Sequence, residues 1–131
     1  MKVFLGGTVN SNWRDYLIPK LKIDYFNPVV DNWDEEAQKK EEFEKKECDL
    51  LLFVITPKME GCFAIAEVVD ASNKSPKKTI LTILNYDDGS TWSSKMKNSI
   101  QAVKRLVEMN NVNVFNDLEK TICFINNQCN N

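Results

Sequence analysis

The run GCFAIAEVVDA, residues 61–71, holds a single carboxylate, Glu67, among small and apolar residues until Asp70. On a helical wheel Cys62, Ile65, Val68 and Val69 make one stripe suited to a core. Glu67 points almost opposite, with Phe63, Ala64, Asp70 and Ala71 around it. Three of those neighbours are apolar or small, so this side reads either as a solvated face or as one that meets a second surface. Gly61 leaves the first N–H groups of the helix open, and the helix dipole favours an anion one to two turns in. A shielded, ionised carboxylate there suits nucleophilic or base chemistry. The chain has no histidine, which removes the commonest general base and the commonest metal ligand. Ser-His and Cys-His pairs are therefore excluded, and neither a metal site nor a cofactor is expected. The cysteines stand at 48, 62, 123 and 129 without paired spacing; Cys48 and Cys62 read as free thiols rather than nucleophiles. Chemistry has to run on carboxylates, hydroxyls or lysine.

The elements that position Glu67 follow from the order of apolar runs. KVFLG (2–6), LLLFVIT (50–56) and TILTIL (79–84) are apolar throughout, as strands buried on both faces of a parallel sheet are. IDYF (23–26) and VNVF (112–115) are weaker strand candidates. Helical patterns lie between them at about 11–22, 33–47, 61–73, 93–109 and 117–127. In the fourth, Ile100, Val103, Leu106 and Val107 share a face; in the fifth, Leu118, Ile122 and Ile125 do, with Asp117 placed to cap it. Parallel strands need crossover helices, so the chain is expected to fold as a single domain over 1–131: a five-stranded parallel sheet with helices on both faces, a Rossmann- or flavodoxin-like three-layer sandwich. The charged run DEEAQKKEEFEKKE (34–47) reads as a solvated helix face.

Ligands of open parallel sheets bind at the carboxyl ends of the strands. That rule selects the loops GGTVNSNW (6–13), NPVVDNW (27–33), TPKMEG (56–61), NYDDGSTW (85–92) and NDL (116–118). All three tryptophans and several Asn and Asp residues fall there, which suits a planar polar ligand such as a nucleobase, although turns favour the same Gly, Pro and Asn residues. Gly6-Gly7 permits close backbone approach, or simply a tight strand-to-helix turn. It is neither a dinucleotide fingerprint nor a Walker loop.

At 131 residues, with 43% hydrophobic and 27% charged residues and a net charge of −2, the chain carries no electrostatic footprint for nucleic acid or an anionic membrane. No apolar run approaches the ~20 residues of a membrane span. The expected partners are small molecules or proteins, and the expected compartment is the cytoplasm.

The segments VFLGGTVNSNWRDYLIPKL, YFNPVVDNW and CDLLLFVITPKMEGCFAIAEVVDAS together resemble the nucleoside 2-deoxyribosyltransferase-like family, in its small bacterial and phage form, over about residues 3–75. The resemblance implies a five-stranded parallel sheet and a glutamate, here Glu67, that attacks the anomeric carbon of a nucleoside to give a covalent glycosyl-enzyme. N-glycosidic cleavage passes through an oxocarbenium-like centre, which a carboxylate stabilises and captures. A second acidic group assists the departing base. Better-known members carry an aspartate six residues before the nucleophile, where this chain has Gly61, so Asp31 or Glu60 is expected to take up base contact. The resemblance places Gly6, Gly7, Asn10 and Trp13 under the sugar and base, Asp31 and Trp33 on a facing wall, and Gly61 and Phe63 beside the nucleophile. One of Glu41, Glu42 and Glu44 is placed to bind a sugar hydroxyl. Helix capping by Asn10 or Asn12 and ordinary packing of the tryptophans are the alternatives.

Two functions follow: transfer or hydrolysis of the N-glycosidic bond of a (deoxy)nucleoside or nucleotide, or non-catalytic sequestration of a nucleotide derivative on the same fold. The resemblance, with the apolar positions Phe63, Ala64 and Ala71 and the loop residues Trp92 and Met96, also raises the expectation of a homodimer or larger homo-oligomer. In it Trp92 and Met96 would reach a neighbouring subunit's site.

Overall fold

The computed structural model describes residues 1–128; Cys129 lies outside the described residues. The strands are β1 (Lys2–Gly7), β2 (Asp24–Phe26), β3 (Leu50–Ile55), β4 (Thr79–Ile83), β5 (Tyr86–Asp87), β6 (Ser90–Thr91) and β7 (Asn113–Phe115). The helices are α1 (Trp13–Leu17), α2 (Glu35–Glu47), α3 (Phe63–Lys74), α4 (Ser94–Met109) and α5 (Leu118–Gln128). Five strands form one sheet in the order β2-β1-β3-β4-β7, every neighbouring pair parallel. This is the expected α/β sandwich. No described helix is long and apolar enough to cross a membrane.

The apolar runs of β1, β3 and β4 are continuous because each strand feeds two cores. Phe4, Leu51, Phe53 and Leu81 point to one face, where they meet Val68 of α3 and Ile100 and Val107 of α4. Their neighbours Val3, Leu5, Leu52, Val54 and Ile80 point to the other, packing on Trp13 and Leu17 of α1 and Ile122 and Ile125 of α5. This period of two is what a strand imposes on consecutive side chains.

Three local departures from the sequence reading have identifiable causes. The first helix is short: α1 ends at Leu17 and gives way to a 3-10 turn, Ile18–Lys20, since Pro19 has no N–H to continue an α-helical ladder. Residues 85–92 are partly a hairpin rather than a loop. β5 and β6 are antiparallel, joined through Asp88 and Gly89 at φ 47° and 87°, the positive angles a two-residue Asp-Gly turn needs. Third, α3 is rotated from the expected wheel. Its buried residues are Val68, Ala71 and Ser72, with Ala64, Ile65 and Val69 half-buried on the same cluster, while Cys62 is exposed. The helix docks on both the sheet and α4, which turns its apolar face toward Ala64 and Ala71. Glu67 consequently lies on the flank of that face, toward α2, not opposite it. Ala71 is buried in the chain's own core and Ala64 is half-buried against it.

The highly charged α2 is anchored by polar contacts. Asp34 caps it by accepting the Ala37 N–H at 2.8 Å, buried Glu44 pairs with Lys2 at 2.8 Å, and Phe43 is exposed. Glu35 and Lys39 pair on the solvated side at 3.4 Å, in keeping with the solvated-face reading. The inner side of α2, carrying Glu41 and Lys45, turns toward α3.

Candidate active site

In the order β2-β1-β3-β4-β7 the chain reverses its direction of travel between β1 and β3, and a crevice opens outside the carboxyl ends of strands at such a point. A cavity of about 580 Å³ lies there, a size that suits a small organic ligand. The first three βα loops and the inner sides of α1, α2 and α3 enclose it: Gly6 to Asn10 and Arg14, then Pro28, Val29, Val30 and Trp33, then Met59, Glu60 and Gly61, with Glu41, Phe63, Ala64 and Glu67.

Glu67 is a shielded carboxylate on this wall, its side chain 9% exposed. Lys45 Nζ donates to Glu67 Oε2 at 2.8 Å, and the same ammonium lies 5.9 Å from the centre of the Phe63 ring. Burial pushes the Glu67 carboxyl above its usual range. The Lys45 hydrogen bond and charge oppose that rise, Glu41 adds to it, and Arg14 opposes it.

Arg14 and Trp13 shape the loop after β1. The Arg14 guanidinium donates through Nε and Nη2 to the Leu5 carbonyl at 3.1 and 2.9 Å and through Nη1 to the Thr8 carbonyl at 2.8 Å. It stacks on the Trp13 ring 4.2 Å away, and burial lowers its pKa to about 10, with Glu41 and Glu67 opposing. The Trp13 indole N–H donates to the same Thr8 carbonyl at 2.8 Å. Gly7 sits at φ 115° and lies so close to β3 that a Cβ there would fall 2.1 Å from the Val54 carbonyl oxygen.

A second polar knot ties the hairpin to these loops. Asp87 accepts from Ser11 Oγ and from Thr56 Oγ1, both at 2.6 Å, and Thr56 N–H donates to Thr8 Oγ1 at 3.0 Å. One carboxylate thus joins the loops after β1, β3 and β4. Asp87→Ala leaves the buried Thr56 hydroxyl and the half-buried Ser11 hydroxyl without their acceptor and is expected to destabilise the fold by about 1–3 kcal/mol, read from urea unfolding; an unchanged midpoint would mean the knot carries no load.

The cavity gathers Gly6, Gly7, Asn10, Trp33, Glu60, Gly61, Phe63 and Glu67 of the residues singled out in the sequence. Asn10 Nδ2 donates across the mouth to Glu60 Oε1 at 3.1 Å. Trp33 donates its indole N–H to Glu41 Oε2 at 2.8 Å and its ring centre stands 6.1 Å from that of Phe63. Glu41 is the one glutamate of the three considered on α2 that reaches the wall.

Four residues are placed elsewhere. Trp13 is 3% exposed in the core beneath α1, because its indole is needed to hold the Thr8 carbonyl. Asp31 is exposed at the tip of its loop and off the wall; the Asn27 side chain accepts the Val29 N–H at 3.1 Å, and Val29 and Val30 face the cavity instead. Trp92 folds back onto its own core, packing on the cluster beneath α4 and donating to the Leu84 carbonyl at 3.0 Å. Met96, in the first turn of α4, is 39% exposed and away from the cavity. Arg14, Lys45 and Asp87 were not marked by the sequence; each looks like an ordinary surface charge until the fold brings its partners to it.

A doubly wound α/β chain with a shielded carboxylate in the crevice beside its first strand is the class the fold and cavity define. Residues 1–86 match the family described as nucleoside 2-deoxyribosyltransferase like. The chain belongs to that family. The matched stretch runs from β1 through the start of β5 and includes every residue of the cavity wall. No curated protein matches the chain.

Proposed function

We propose that the protein breaks or transfers the N-glycosidic bond of a (deoxy)nucleoside or nucleotide, with Glu67 as the nucleophile. The observation that carries this reading is the pairing of a shielded Glu67 with Lys45 on the wall of a ligand-sized cavity. Lys45 holds Oε2, which leaves Oε1 to attack the anomeric carbon. The ion pair opposes the rise that burial gives the Glu67 carboxyl, and a carboxylate beside the sugar stabilises an oxocarbenium-like centre before capturing it. Trp33 and Phe63 offer ring faces to the base, and Gly6 and Gly7 let backbone approach the sugar.

A binding or sequestering protein is the second reading, favoured by Gly61. A Cβ there would meet nothing within 4 Å, so packing does not demand a glycine, and the space where family members carry an acid is empty of one. Incubation with deoxynucleosides, ribonucleosides and their 5′-monophosphates, with and without a free acceptor base, separates the two. Released or exchanged base that disappears in Glu67→Gln supports catalysis. Saturable binding without any base release supports sequestration.

A further inference from the structure

We infer that the cavity is built for an N-glycoside whose base carries a fixed positive charge, a pyridinium nucleoside being the simplest case. This rests on the reading of Glu67 as nucleophile and adds the class of substrate.

The leaving group points to such a base. A neutral nucleobase departs as an anion unless an acid protonates it, and such an acid is worth roughly 10²–10⁴-fold. The ionisable side chains on the wall are Arg14, Glu41, Glu60 and Glu67. Glu67 is committed to the sugar. Arg14 spends Nε, Nη1 and Nη2 on the Leu5 and Thr8 carbonyls. Glu41 and Glu60 are each held as acceptors, by the Trp33 indole and the Asn10 amide. Lys45 is engaged with Glu67, and the chain has no histidine. A base that is already cationic needs no proton to leave.

The charge and chemistry of the wall point the same way. Three carboxylates on the wall stand against the Arg14 guanidinium and the Lys45 ammonium that pairs with Glu67, a negative balance that favours a cation over a phosphate. The Trp33 and Phe63 rings, 52% and 56% exposed and tilted 52° to each other, present π faces at the mouth. Such faces attract cations, tryptophan most strongly.

The step balances without a further reagent. Glu67 Oε1 bonds to the anomeric carbon as the C–N bond breaks, and the electron pair of that bond passes to the ring nitrogen and discharges the base. Water then adds to the anomeric carbon, the ester bond to Glu67 breaks to return the carboxylate, and one proton goes to solvent. One cationic N-glycoside and one water yield a neutral base, a free sugar and a proton.

Nicotinamide riboside and its 2′-deoxy analogue, tested against guanosine, inosine, cytidine and their 2′-deoxy analogues, decide the matter. The expected kcat/KM is at least about 100-fold higher for the pyridinium nucleosides, the advantage of a leaving group that needs no acid. Because such nucleosides are also intrinsically labile, binding to the inactive Glu67→Gln protein is compared for nicotinamide riboside and its dihydro form, a neutral analogue of nearly the same shape. The cation is expected to bind at least about tenfold tighter. Equal or better cleavage of the neutral nucleosides, or equal binding of the two nicotinamide forms, overturns the inference and leaves the role of Glu67 standing. Failure to cleave either class overturns both.

Discussion

Glu67→Gln is expected to lower turnover by roughly 10⁴-fold or more, the scale of losing a nucleophile, while the protein stays folded and still binds its ligand. The amide has the shape of the carboxylate and its oxygen can accept from Lys45, but it cannot capture an anomeric carbon. Stability should move the other way from activity at neutral pH. Because burial holds the Glu67 carboxyl above its usual range, folding favours the protonated form. The stability this contributes is present below the ordinary glutamate pKa of about 4.3 and is lost as pH rises through the higher folded value. Above that value the buried charge is a burden that the amide removes, so melting curves at pH 7 should show the variant at least as stable as the parent, with a smaller advantage at pH 4. The same ionisation should set the acid limb of kcat/KM, with its midpoint above the usual glutamate range. A variant that keeps its turnover, or an acid limb absent altogether, would remove Glu67 from the chemistry.

Gly7→Ala is expected to be the most damaging single change to the scaffold. Gly7 has φ 115° and its added Cβ would sit 2.1 Å from the oxygen and 2.6 Å from the nitrogen of Val54. Both are backbone atoms in the β1–β3 pairing, so nothing flexible can give way, and the two strands that flank the cavity must part. A loss of about 4–5 kcal/mol, at the upper end for a point substitution, or failure to fold, is the expected outcome of urea unfolding. Gly89→Ala is the control. Gly89 also has positive φ, 87°, but no atom lies within 4 Å of its added Cβ, so only the conformational penalty of about 1–2 kcal/mol applies. Equal losses at the two sites would show that contact with Val54 is not what requires Gly7.

The contrast between these glycines shows where the sequence was sufficient and where it was not. The doubled glycine after the first apolar run was open to two readings, ligand approach or tight turn; the contact that singles out Gly7 comes from a strand over forty residues away. The sheet was legible because LLLFVI and TILTI must bury both faces, and only crossover helices on both sides can cover them. The turn of α3 was not, since a wheel ranks side chains by polarity, whereas the docking of α3 on α4 as well as the sheet chose Ala64 and Ala71 for burial. The same limit explains the tryptophans. Trp33 reached the cavity and Trp13 and Trp92 did not, because the latter two indoles found backbone carbonyls, those of Thr8 and Leu84, to satisfy their N–H groups inside the fold. Glu67 stands out by its isolation among apolar neighbours, which left a solvated face and a shielded one both open; the family resemblance is what singled it out. Lys45, its ion-pair partner, sits in a run of charges on α2 where nothing local distinguishes it from Lys46.

The most direct measurement is covalent trapping. A nucleoside bearing a 2-fluoro-2-deoxy sugar slows breakdown of the glycosyl-enzyme, and intact-protein mass followed by peptide mapping locates the sugar. The expected result is a gain of one fluorinated sugar per chain on the peptide that contains Glu67, absent from Glu67→Gln. A sugar carried on any other residue, or an adduct that persists in Glu67→Gln, would contradict the assignment of Glu67 as the nucleophile.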